Sequence, residues 1–161
     1  MISKEELTKF RELVEAFTDP DNQEYAYIDP FVSTNSTVID ICTSLAEQET
    51  ETMEEETEVC YTLLRALCSS VISTRSPLPP VVIRRADTLL NRLPSSLRKA
   101  QICSYLYCLS TEDEYKANAK NLLDEFSTKA AQSVSEGRII KDCRLIIGDY
   151  SYIRNTHSQN E

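Results

Sequence analysis

The chain has 161 residues, 41% of them hydrophobic and 27% charged, the balance of one soluble globular domain, and its net charge of −9 argues against general affinity for nucleic acid, which depends on Lys and Arg displacing counterions. It holds two glycines, Gly137 and Gly148, so the clustered glycines of phosphate-cradling loops and the Asn-Gly or Asp-Gly turns of hairpin-rich sheets are both missing. The composition therefore predicts an all-α protein, and no run approaches the roughly 20 apolar residues that span a bilayer.

Ser3-Lys4-Glu5-Glu6 reads as a capping box, and Leu7, Phe10, Val14 and Phe17 follow at helical spacing to about Thr18. Asp19-Pro20-Asp21-Asn22 and Asp29-Pro30 are turn chemistry, which predicts a surface stretch held by Tyr25, Tyr27 and Phe31. A second helix is expected from Asn35 or Ser36, with Val38, Ile41, Cys42 and Leu45 on its apolar face. Thr52-Met53-Glu54-Glu55 is a second capping box; it opens a third helix whose stripe runs through Val59, Cys60, Leu63, Leu64, Leu67, Cys68 and Val71. Prolines 77, 79 and 80 make residues 73–80 a stop and linker, and a fourth helix runs from about 81 to 92 with Val82, Ala86, Leu89 and Leu90 inward.

Leu93-Pro94-Ser95-Ser96-Leu97 is a short corner in which Ser95 is expected to cap the fifth helix, so that the fourth and fifth pack as a hairpin. From Ala100 to Leu109 that fifth helix is apolar on nearly every face, which marks it as central. Thr111-Glu112-Asp113-Glu114 reads as a third capping box before Tyr115, Ala119, Leu122, Phe126 and Ala130. A last helix after Ser135-Glu136-Gly137 carries Ile139, Cys143, Ile146, Tyr150 and Ile153. The expected architecture is a single helical domain over 1–155, about seven helices packed as antiparallel hairpins in a repeat-like bundle, and a mobile tail at 156–161.

The charge is unevenly placed: residues 1–60 hold 16 acidic and 3 basic side chains, and residues 61–161 hold 10 acidic and 14 basic. Seven glutamates lie between Glu47 and Glu58; they cap and solvate a helix start, and Glu54, Glu55 and Glu58 are the candidates for receiving a basic partner. Arg84, Arg85, Arg92, Arg98 and Lys99 gather around the 91–97 corner and are candidates for acidic groups or phosphate. Tyr105 and Tyr107 point to different helix faces, and Tyr107 joins the partner-facing set.

Catalysis has little to stand on. His157, four residues from the end, is the one histidine, no cysteines form a C-x-x-C, and the carboxylates cluster without a positioned pair. The six cysteines, 42, 60, 68, 103, 108 and 143, sit mostly beside Leu, Ile or Val and are expected to be reduced, buried small hydrophobes. With no basic-then-apolar leader at Met1-Ile2-Ser3-Lys4, the sequon Asn35-Ser36-Thr37 reads as capping residues and the chain as cytoplasmic, with no cofactor, metal or small-molecule substrate.

Glu54 to Cys60 leading into Leu63-Leu64, Ala86-Asp87-Thr88-Leu89-Leu90 with Leu93-Pro94-Ser95-Ser96-Leu97, Tyr105-Leu106-Tyr107-Cys108, and Asp113-Glu114 with Ala117 to Ala119 together resemble the UpxZ family. The resemblance covers roughly residues 50–125 and is strongest over 84–125. It implies a small helical antagonist of NusG-like transcription antiterminators belonging to other capsular polysaccharide loci of Bacteroides, a protein-binding regulator without catalysis. The chain departs from the family at its end, which has no Trp and runs Ile153-Arg154-Asn155-Thr156-His157. A helical RNA- or DNA-binding regulator using the basic corner is the alternative.

Overall fold

The structure, a computed structural model, describes residues 3–18, 42–68, 80–128 and 133–150. Among them every regular element is a helix, as the glycine-poor composition predicts: α1 (Lys4–Thr18), a short segment at 42–46, α2 (Met53–Cys68), α3 (Pro80–Leu90), α4 (Leu97–Ser110), α5 (Asp113–Ser127) and α6 (Val134–Ile146). The expectations for Tyr25, Tyr27, Phe31, Val38, Ile41, Val71, Ala130 and Ile153, for the linker at 73–79, for the tail and for the side chain of Phe17 lie outside the described residues. No helix among the described residues is long and apolar enough to cross a membrane. The chain divides into two compact units, Met1–Arg92 and Leu93–Glu161.

In the first unit α1 packs on α2, and α2 packs on α3. Ser3 starts α1 by accepting from the Glu6 amide at 3.1 Å, and Leu7, Phe10 and Val14 are buried. Thr52 starts α2 in the same way, accepting from the Glu55 amide at 3.1 Å. The Glu55 carboxylate reaches back one residue further than a capping box requires, to the Glu51 amide at 3.4 Å. Beyond these caps α2 buries Val59, Cys60, Leu63, Leu64, Ala66 and Leu67, while an Arg11–Glu58 ion pair at 3.2 Å joins its exposed side to α1. Pro80 begins α3, where its missing N–H costs nothing, and Val82, Ala86 and Leu89 face the core.

In the second unit α4 packs against both α5 and α6, which also touch each other. Ser96 caps α4, its Oγ accepting from the Lys99 amide at 3.1 Å from an extended backbone. Ser95, the residue expected there, stands one position too early, because the first helical residue is Leu97. Ala100, Ile102, Cys103 and Leu106 are buried, and Ser104 satisfies its buried hydroxyl on the Ala100 carbonyl at 2.8 Å. The burial expected on nearly every face of this helix fails in its last turn, where Tyr107 is half-buried and Cys108 exposed.

The expected third capping box does not form, because Thr111 is occupied in ending α4. At φ 58° its N–H donates to the Tyr107 carbonyl at 2.7 Å and its hydroxyl to the Ser110 carbonyl, and Glu112 becomes an N-cap of α5 without a side-chain bond. A β-branched residue in the left-handed region is strained, and here it makes the two-residue reversal between α4 and α5. The last helix begins earlier than Gly137: Ser133 caps it by accepting from the Glu136 amide at 3.1 Å, so Gly137 lies within α6. It ends at Gly148, whose φ of 73° closes a Schellman turn with Asp149 N–H on the Arg144 carbonyl at 2.8 Å and Gly148 N–H on Leu145 at 3.2 Å. Tyr150, placed on the apolar stripe in the sequence, is exposed.

Candidate functional site

The first unit carries an open cleft of about 780 Å³ between residues 46–53 and α3. That volume is in the range of ligand sites, though the lining is unusually charged. Its floor is built on Arg85, whose Nε and Nη2 hold the two Glu56 oxygens at 2.5 and 2.9 Å. Nη1 donates to the carbonyls of Leu45 and Ala46 at 3.2 and 3.1 Å, so the guanidinium also caps the C-terminal end of the 42–46 segment. Thr50 Oγ1 donates at 2.6 Å to Glu56 Oε2, the oxygen that also accepts from Nη2. One arginine thus fastens the end of the 42–46 segment, the first turns of α2 and the middle of α3 to one another, and Thr50 ties the intervening loop to the same carboxylate.

Burial opposes the ionisation of Glu56, but the bonds from Arg85 and Thr50 outweigh it and hold the carboxyl below its ordinary range. The same carboxylate raises the Arg85 pKa, with burial opposing it. The sequence groups Arg85 with the exposed basic corner and Glu56 with the solvated glutamates; the structure turns both inward, with side chains 13% and 21% exposed. The signal lay in the helical stripe. Glu56 stands four residues before Cys60 and seven before Leu63, so it shares their buried face.

The remaining acidic candidates separate by role. Glu54 is exposed, Glu55 is engaged with the Glu51 amide, and Glu58 pairs with Arg11. Arg84 on α3 and Arg92 in the turn just after it are exposed at the cleft, and so is Thr88 on α3. Facing them is a rim of Glu47, Glu49 and Glu51, also exposed. Among the described residues none of these five side chains is held in an ion pair.

The other basic candidates belong to the second unit. Arg98 donates to Gln101 Oε1 at 2.8 Å, and the Lys99 ammonium donates to the Leu93 carbonyl at 3.0 Å, holding the corner onto α4. Tyr107 lies under the Lys116 ammonium, 5.6 Å from its ring centroid, which ties α4 to α5. No group of three or more His, Cys, Asp or Glu side chains with metal-binding geometry occurs among the described residues, and His157 lies outside them.

None of the six cysteines is in a disulfide. Burial pushes the Cys42 thiol up to about 12 and Cys143 up to about 11; burial and the nearby Glu56 charge push Cys60 up to about 12. These are poor nucleophiles at neutral pH. Denatured protein should consume six equivalents of a thiol reagent without prior reduction, whereas native protein should modify Cys108 first and Cys42, Cys60 and Cys143 slowly. An intramolecular disulfide in protein kept anaerobic, read by mass spectrometry, would overturn this assignment.

The model of the UpxZ family of transcription anti-terminator antagonists matches residues 7–108, from α1 to the end of α4. The match extends the sequence resemblance toward the N-terminus and stops before α5. Among solved structures the chain is similar to a transcription anti-terminator antagonist UpxZ from Bacteroides uniformis ATCC 8492, with a TM-score of 0.61 and 18% identity over 88% of this chain and 90% of that one. At that identity the likeness carries the helical fold. No curated protein matches the chain.

Proposed function

Because the chain belongs to the UpxZ family of transcription anti-terminator antagonists, a family of transcription regulators, we propose that it binds and inhibits NusG-like antiterminators encoded by other capsular polysaccharide operons, so that one capsule locus is expressed at a time. The family match is the observation that carries this reading. The protein acts in the cytoplasm by occlusion, without catalysis or cofactor, and its acidic first unit meets basic surface on the antiterminator. Charge of this kind speeds encounter and sorts partners more than it adds affinity. Glu54 is the most accessible of the acidic contacts; Glu55 and Glu58 contribute field from positions that also hold α2 in place.

Direct nucleic-acid binding through the basic corner has less support. Three of its five cations, Arg85, Arg98 and Lys99, are bonded within the chain. Each missing phosphate contact weakens such binding and flattens its salt response.

Purified protein should bind antiterminators from other capsule loci without RNA, as read by interferometry at two salt concentrations. Glu54→Gln, Glu55→Gln and Glu58→Gln together should slow association and reduce its salt dependence, since long-range attraction acts on the on-rate. A signal that requires leader RNA and collapses in Arg84→Gln/Arg98→Gln, which leaves the Arg85–Glu56 pair intact, would replace the antagonist reading with the nucleic-acid one.

A further inference from the structure

The cleft between residues 46–53 and α3 has two rims of opposite sign and a floor that is already neutral. Glu47, Glu49 and Glu51 line one side; Arg84 on α3 and Arg92 in the turn that follows it line the other. Between them Glu56 and Arg85 cancel each other, and Val81 and Leu89 supply apolar floor. The acidic rim is anchored at both ends, by Arg85 on the Leu45 and Ala46 carbonyls and by the Glu51 amide on Glu55. A ligand that enters therefore does not have to order it.

This pattern discriminates among occupants. A nucleic acid satisfies Arg84 and Arg92 but brings phosphates against three glutamates. A purely basic segment suits the glutamates but sets its cations against the two arginines. Like charges brought together across an interface repel and so reject such partners. A segment with cations along one edge and anions along the other meets both rims, and only in one orientation.

Resting on the antagonist reading above, we propose that this cleft is where the antiterminator docks, and that it receives a polypeptide segment of that partner carrying basic side chains along one edge and acidic side chains along the other. The two signs fix the direction in which the segment lies and make the cleft a determinant of which antiterminators are refused.

The test reverses each rim separately, Glu47→Lys/Glu49→Lys/Glu51→Lys and Arg84→Glu/Arg92→Glu, in the full chain. All five positions are exposed, so helix ellipticity and melting should stay near those of the parent. The probe is an antiterminator from another capsule locus that the parent protein binds. Each reversal should weaken binding by at least about tenfold, roughly 1.4 kcal/mol. Loss with the glutamate reversal alone, accompanied by unchanged or tighter binding of the arginine reversal, would show a purely basic ligand and overturn the two-edged assignment. Full binding by both variants would move the docking site elsewhere and leave the antagonist reading standing. Failure of the parent protein to bind any antiterminator would remove that reading and the docking site with it.

Discussion

Arg144→Ala should destabilise the protein by about 3–5 kcal/mol, the usual consequence of removing one partner from a buried ion pair and leaving the other charge uncompensated. Arg144 lies on α6 with its side chain 9% exposed, and its Nη1 donates to Asp149 Oδ2 at 2.6 Å, a carboxylate only 7% exposed. Nη2 reaches across to α5, to Asp124 Oδ1 at 3.0 Å and Ser127 Oγ at 3.2 Å. The guanidinium therefore ties the last turn of α6 to side chains in the last turn of α5, two helices that pack side by side.

The geometry of that pair depends on Gly148. Its left-handed φ of 73° turns the chain back over the last turn of α6, which places Asp149 beside Arg144 both through its backbone N–H and through its carboxylate. Urea denaturation followed by ellipticity should show the loss, and amide exchange should show it concentrated in α5 and α6. Arg144→Met/Asp149→Leu should recover part of it, because an apolar pair leaves no buried charge unpaired. A single Arg144→Ala variant as stable as the parent would mean that the network is solvated.

How much of this was legible follows from what each signal depends on. Periodicity depends on one helix at a time, and it identifies the cores of α2 and α5 through Leu63 and Leu122, while the all-round apolar run of α4 marks Leu106. Capping depends on which residue stands just before the first helical one, and that resolves to a position or two. Ser3 and Thr52 cap where the sequence places them, whereas Ser95 gives way to Ser96 and Thr111 is claimed by the preceding helix. The pairs Glu56–Arg85 and Arg144–Asp124 join residues 29 and 20 positions apart, and nothing local announces such a pairing. At the site, the sequence identifies the acidic and basic segments, but not that two of the charges neutralise each other and form the floor between the rest.

Arg85→Ala should cost nearly as much as the loss of Arg144, toward the lower end of about 3–5 kcal/mol because the pair is slightly more exposed. Three things are lost together: the partner of the Glu56 carboxylate, the cap on the Leu45 and Ala46 carbonyls, and the tie between α3 and the start of α2. Lysine cannot replace them, since one ammonium does not match a bidentate carboxylate and two carbonyls in that fork geometry. The pH response gives the effect its sign. Glu56 has its pKa below the ordinary 4.5 in the folded protein, so the unfolded chain binds its proton first as pH falls. The stability it contributes is present in full above the unfolded pKa and disappears as pH drops through the folded one, while Arg85 stays charged throughout. The stability difference between the parent and Glu56→Gln should accordingly be constant well above the ordinary carboxylate pKa, shrink as pH falls through it, and be smallest once pH is below the lowered folded value. A difference that persists unchanged in acid would show that the amide substitution disturbs packing and that the carboxylate charge itself does not hold the cleft floor together.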